Sequence, residues 1–201
     1  MSCLIFLCDD DAAVLAGSRV ARLCDALSHA VLNRVQDRCV RMPIPSRPLH
    51  VAALLQIWSL DHRAREVIDA AGELGLERYY EVERQILLPP AALPGAIKRM
   101  SLLERATGLD PGQFREIWKG SHGPRVARRA DALLGYCQNH VLARSPGAPP
   151  CDGLTELWFP DVETMEAVLP SAPSEPEALT ALAGSFIGRI STLLLTEVRL
   201  K

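Results

Sequence analysis

Along the 201-residue chain, apolar positions fall into two kinds of run. Short apolar or alternating runs bounded by Gly, Pro, Asn or Asp read as strands; longer runs with apolar residues three and four apart read as helices. In the second half, Ile97 to Arg105 reads as a strand. A helix then opens at Asp110-Pro111, with Asp110 as cap, Pro111 in the first turn and Gln113 at the capping-box position. It runs through FREIW, is disturbed between Gly120 and Pro124, and resumes as RVARRADAL. Leu134 to Ala143 and Gly153 to Phe159 read as strands joined by SPGAPPCD, whose prolines and glycine break regular structure. Helical stretches at Val162–Leu169 and Ala178–Ile187 flank SAPSEPE, and Ser191–Leu200 closes the half as a strand. The order is βαββαβ, a ferredoxin-like split.

The first half repeats that order more loosely. Its elements are strand Cys3–Cys8, helix Ala12–Ala30, strands Asn33–Met42 and Val51–Trp58, helix His62–Ala71 and strand Arg78–Leu87. LPPAALPG, from Leu88 to Gly95, separates the halves, because its prolines continue neither helix nor strand. The expected domains are residues 1–90 and 96–201, with 91–95 as linker.

Comparing the chain with itself supports a duplication. GSRVARLCDAL (Gly17–Leu27) and GPRVARRADAL (Gly123–Leu133) agree at eight of eleven positions, offset by 106 residues. LLQIWSLD (Leu54–Asp61) and LTELWFPD (Leu154–Asp161) follow in the same order, offset by 100.

Composition narrows the function classes. The chain is 48% hydrophobic and 23% charged with a net charge of -2, and neither sign is concentrated in a block. That distribution disfavours nucleic acid as a partner. The apolar run Cys3–Cys8 is too short for a signal sequence or a membrane span, so a soluble, cytoplasmic protein is expected. Six cysteines form no C-x-x-C pair and have no histidine at metal-finger spacing, which points to reduced thiols and no metal. Nucleotide-binding loops, the G-x-S-x-G elbow and H-E-x-x-H are all missing from the sequence.

Three blocks of the second half resemble the EthD family. Phe114, Trp118, His122 and Pro124 in FREIWKGSHGP match its F-x-x-x-W-x-x-x-H-x-P signature; GYCQNHV (Gly135–Val141) and DGLTELWF (Asp152–Phe159) resemble the strands that follow. The resemblance implies an α+β fold in which two ferredoxin-like halves pack sheet to sheet, here as an intramolecular pseudo-dimeric barrel. It also implies a ligand cavity and a role in xenobiotic degradation or aromatic polyketide biosynthesis. The first half departs from the pattern: Ala16 stands where His122 stands and Arg34 where His140 stands, while Gln56 and Trp58 match Glu156 and Trp158.

Strand alternation places Tyr136, Gln138 and His140 on one face of their strand, and Glu156 and Trp158 on one face of theirs. These mixed faces are the expected cavity lining. His122 or His140 is expected as general acid or base, with Glu156 orienting it or exchanging a second proton. Tyr136, Trp158, Trp118, Asp152, Trp58 and Gln56 are the expected ligand contacts. Trp118 with Phe114 equally suits core packing, and Asp152 equally suits a turn before a strand.

The leading expectation is a cofactor-independent lyase, cyclase or isomerase acting on a small aromatic, polyketide-like or carbonyl compound. The alternatives are a non-catalytic small-molecule binder, and a haem-binding barrel with His122 or His140 as axial ligand. One chain could complete the barrel as a monomer, and a homodimer is also compatible.

Overall fold

The structure is a computed structural model, and it describes residues 2–10, 29–36, 44–58, 63–91, 93–128, 132–168 and 177–200. The strands are β1 (Ser2–Cys8), β2 (His29–Val35), β3 (Ala53–Trp58), β4 (Tyr79–Leu88), β5 (Ile97–Arg105), β6 (Gly135–Arg144), β7 (Gly153–Phe159) and β8 (Ile187–Arg199). The helices are α1 (Ala64–Gly72), α2 (Pro111–Glu116), a π-helical turn (Ile117–His122), α3 (Gly123–Ala127), α4 (Val162–Val168) and α5 (Glu177–Phe186).

The strands close into one barrel in the order β1-β3-β2-β8-β5-β7-β6-β4. Every neighbouring pair is antiparallel. Within each half the order is fourth, first, third, second, and the halves join at the seams β2–β8 and β4–β6. Closure leaves no strand edge unpaired.

Because side chains alternate across a strand, the sheet buries residues on both faces. Inside the barrel Ile5, Leu7, Leu54, Val82, Met100, Leu102, Leu154, Leu193 and Leu195 form one core. Outside, Leu4, Phe6, Leu32, Leu55 and Ile57 of the first half pack against Val67 and Ala71 of α1. In the second half Leu103, Ile187 and Ile190 pack under Phe114, Trp118 and Phe186. Tyr136, Leu157, Phe159 and Leu194 pack beside them with Met165 of α4.

The expected capping box is present at the start of α2. The Asp110 carboxylate accepts from the Gln113 N–H at 2.9 Å, and the Gln113 side chain accepts from the Asp110 N–H at 3.0 Å. The disturbance between Gly120 and Pro124 is not a break. The chain passes through one π-helical turn and continues as α3.

Two elements differ from expectation. The helix expected at Ala12–Ala30 lies mostly outside the described residues, but His29 and Ala30 belong to β2, where Ala30 is buried beside Ile57. β8 starts at Ile187 instead of Ser191, because Ile187 and Ile190 cover Phe114 and Trp118 and the strand has a partner in β5 as far as Arg105. Of the strand expected at Asn33–Met42, residues 37–43 lie outside the described part. His62, Cys24 and Cys39 also fall outside it, whereas Cys3, Cys8, Cys137 and Cys151 are buried free thiols. No helix among the described residues is long and apolar enough to cross a membrane.

Gly153 at the start of β7 holds the helical layer down. A Cβ there would lie 2.1 Å from Trp118 Cζ3 and 2.7 Å from Cη2, so the indole lies directly on the glycine backbone. Gly153→Ala is therefore expected to destabilise the fold by about 1–3 kcal/mol through overpacking. A urea melt of the variant that overlays the parent's would show that the indole moves aside without cost.

Candidate functional site

The barrel interior carries a polar cluster. Glu156 of β7 is fully buried and lies 2.5 Å from Arg84 Nη1 of β4 and 2.5 Å from Lys98 Nζ of β5. Asn139 Nδ2 donates to Glu156 at 2.6 Å and to the Leu154 carbonyl at 3.2 Å. Asn33 makes the same pair of bonds in the first half, to Gln56 at 2.8 Å and to the Leu54 carbonyl at 3.2 Å. Gln56 Nε2 reaches across to Glu156 at 3.1 Å. Lys98 Nζ also donates to Asn33, Gln56 and Glu197. Trp58 and Trp158 flank the Arg84 guanidinium at 5.3 and 5.9 Å, and Lys98 lies 4.8 Å over Trp158.

Burial alone would raise the Glu156 pKa; Arg84 and Lys98 outweigh it and pull the carboxyl down to about 2. Glu156 is therefore an ionised anchor, held by a cation from each half.

The two histidines lie elsewhere. The β6–β7 register sets Cys137 opposite Glu156, Tyr136 opposite Leu157 and His140 opposite Gly153. Tyr136, Gln138 and His140 therefore face outward, under α2, the π-helical turn and α3, while Glu156 and Trp158 face inward. The expected single lining, with Glu156 orienting a histidine, is corrected on this point. The sheet itself separates the carboxylate from both imidazoles, because residues paired across a ladder share a face.

In the packed layer between the outer face of the sheet and the helices, the rings of His140 and Trp118 meet edge to face, with centroids 4.8 Å apart. His122 ends the π-helical turn and meets Phe186 at 5.2 Å. Burial lowers both imidazole pKa values to about 4. For His140, Arg115 and Lys119 add to the shift and Glu83 opposes it; for His122, Arg125 adds to it. Both rings are thus neutral at pH 7. Both ring nitrogens of His140, Nδ1 of His122 and Oε1 of Gln138 are buried and meet no hydrogen-bond partner among the described residues. Buried polar atoms are almost always paired, so these four are exceptions within the layer between sheet and helices.

Tyr136 is buried in the same layer, and its phenol is raised to about 12 by burial, with hydrogen bonds opposing the shift. Trp118, expected as a ligand contact, packs in the outer core with Phe114. Gln56, Trp58 and Trp158 belong to the interior cluster. Asp152 ties the start of β7 to the end of β5 by pairing with the Arg105 guanidinium and accepting from the Arg105 N–H at 2.9 Å. Sequence reasoning passed over Arg84, Lys98 and Asn139. The Asn33/Asn139 match at the 106-residue offset could have revealed Asn139, whereas Arg84 and Lys98 carry no such signal.

His122 and His140, the residues expected as haem axial ligands, are packed against the rings of Phe186 and Trp118 respectively. Among the described residues, no group of three or more His, Cys, Asp or Glu is placed to hold a metal ion.

The EthD domain family matches residues 106–175, which contain His122, Tyr136, Gln138 and His140. No curated protein matches the sequence. Among solved structures, an anthrone oxidase-like protein superposes with a TM-score of 0.65 at 13% identity, covering 99% of this chain and 92% of its own. A candidate monooxygenase from Lactobacillus acidophilus superposes at 0.56 and 9% identity, covering 100% and 93%. Chlorite dismutase from Candidatus Nitrospira defluvii superposes at 0.57 and 12% identity, covering 99% and 91%. At these identities the likeness is one of fold: a closed eight-stranded barrel with helices packed on its outer face.

Two acid transitions follow from the site. Unfolded imidazoles take up a proton near pH 6.5, but His122 and His140 in the fold do so only near 4. Their contribution is complete above about pH 6.5 and is lost as pH falls towards 4, since the unfolded chain then binds more protons. Glu156 adds a second loss between the ordinary carboxyl value of 4.5 and about 2. His140→Phe should flatten stability against pH in the upper window only. Glu156→Gln, which strands two buried cations, should cost about 3–5 kcal/mol at neutral pH. Urea melts across pH 3–8 read both effects, and an unchanged upper slope in His140→Phe would contradict the burial of a neutral imidazole.

Proposed function

We propose that the chain, which carries an EthD domain over residues 106–175, is a small-molecule enzyme working by acid–base chemistry in the outward cleft of its second half. The substrate class is a small aromatic, polyketide-like or carbonyl compound. The chain is read as two fused ferredoxin-like halves forming a pseudo-dimer, a reading supported by the equal strand order of the halves and the matching bonds of Asn33 and Asn139. His140 or His122 takes a proton from carbon or oxygen next to a carbonyl. The resulting enolate or phenolate then eliminates, cyclises or isomerises without a bound cofactor.

The observation that carries this is the pair of neutral, buried imidazoles with unpartnered nitrogens beneath Trp118 and Phe186. A neutral imidazole can accept a proton, and the negative charge appearing on the substrate raises the imidazole's proton affinity as transfer proceeds. The apolar wall strengthens that attraction by excluding water. Likeness of fold to an anthrone oxidase-like protein agrees with a flat aromatic ketone as substrate.

Anthrone, whose ring methylene is acidified by the ketone, tests the proton-transfer step without knowledge of the product. In deuterium oxide the protein is expected to accelerate exchange of the methylene protons, followed by NMR. His140→Gln or His122→Gln should slow exchange by about 10²–10⁴-fold, the usual size of a general-base contribution. In the parent, kcat/KM should hold level above about pH 5 and fall towards the imidazole pKa of about 4. Exchange at the parental rate in both variants overturns the assignment. Tight binding of aromatic compounds with no exchange favours the non-catalytic binder instead.

A further inference from the structure

The amide of Gln138 is fixed in one orientation by its surroundings. Gln138 Nε2 lies 3.1 Å from the Trp118 carbonyl oxygen and 2.9 Å from the Tyr136 hydroxyl. A carbonyl oxygen only accepts, so the nitrogen must face Trp118; the flipped amide would set oxygen against oxygen. Both amide hydrogens are thereby used, and Oε1 is left buried without a partner among the described residues.

The π-helical turn creates this arrangement. In place of the usual bond four residues back, the Gly123 N–H donates to the Trp118 carbonyl. The same carbonyl accepts from Gln138. A Cβ on Gly123 would come within 2.5 Å of Gln138 Nε2, so only glycine admits the amide at this position. π-Helical turns are rare and are found frequently at functional sites.

From this geometry we infer that Gln138 is a specificity-determining residue: its Oε1 takes a hydrogen bond from a hydroxyl of the ligand. The inference rests on the outward cleft being the ligand site. Gln138 stands between Tyr136 and His140 on the same face of β6, so a ligand that reaches Oε1 lies beside both. With both amide hydrogens committed, Gln138 offers only an acceptor, while each neutral imidazole offers one donor and one acceptor nitrogen. At Gln138 the site therefore favours a phenol or enol over its O-methylated counterpart, whose oxygen has no hydrogen to give.

The probes are 1-naphthol and 1-methoxynaphthalene, which differ at the donor, with binding read by calorimetry on the full chain. The parent should prefer 1-naphthol by about tenfold or more, the worth of one buried hydrogen bond. Gln138→Met keeps the length of the side chain and removes the acceptor, and should bring the two probes within about threefold. Gly123→Ala, which displaces the amide from the helix side, should reduce the preference in the same way. A preference retained in Gln138→Met overturns the inference, as does a parent that binds both probes alike. A parent that binds neither probe overturns the cleft reading beneath it. Loss of anthrone exchange with the naphthol preference intact separates the two, removing the catalytic reading and leaving the Gln138 assignment standing.

Discussion

A single ionised carboxylate at the centre of the barrel organises much of this structure. Glu156 is fully buried, a position that ordinarily drives a carboxyl to hold its proton. It remains charged because Arg84 arrives from the first half and Lys98 from the second, with Gln56 and Asn139 supplying further donors. The ion cluster therefore depends on barrel closure: only closure brings β3 and β4 of the first half against β5 and β7 of the second. Attraction within such a cluster is offset by the cost of drying the charges, so its main effect is on register and pairing. The amides of Asn33 and Asn139 fix that register by binding both a neighbouring backbone carbonyl and the central side chain.

This anchor also removes Glu156 from the chemistry that its neighbours in the sequence suggest. Strand periodicity identified which residues of β6 share a face, and which of β7, but not how the faces correspond. A shift of one residue in register exchanges the faces, and the β6–β7 pairing was not legible in the sequence. The duplicated Trp-containing strand and the capping box at Asp110 were legible, because each is a local pattern. The cluster's Arg84 and Lys98 were not, since an isolated cation on a strand carries no mark that its partner lies across a barrel. His122 and His140 were legible through their place in a family signature; their separation from Glu156 depends on pairing over long distances in the chain.

The π-helical turn shows a local rule giving way to a tertiary demand. Gly120 and Gly123-Pro124 read as a break in the helix, since neither residue type favours a helix interior. The chain instead stays wound and inserts one wide turn. That turn aims His122 towards Phe186 and presents the Trp118 carbonyl to Gln138. Gly123 and Gly153 then serve the same end from opposite sides: each leaves out a side chain so that a larger group, the Gln138 amide or the Trp118 indole, can come close.

These requirements explain why the two halves share an architecture and differ in their outward faces. At the 106-residue offset that superposes Asn33 on Asn139, Tyr136, Gln138 and His140 correspond to Ala30, Leu32 and Arg34. At the 100-residue offset, Gly153 corresponds to Ala53. A methyl group at that position excludes an indole seated as Trp118 is, and Ala30, Leu32 and Ala53 all lie in the continuous apolar core under α1. The first half thus fills with hydrocarbon the space where the second half keeps polar atoms. Its outward face adds stability through burial, and inward it supplies Arg84 and Gln56 to hold Glu156. Among the described residues that face presents Ala30, Leu32 and Ala53 where the second half presents Tyr136, Gln138 and Gly153. On the proposed function the first half acts as scaffold, and the second keeps the unpartnered polar atoms of the binding site.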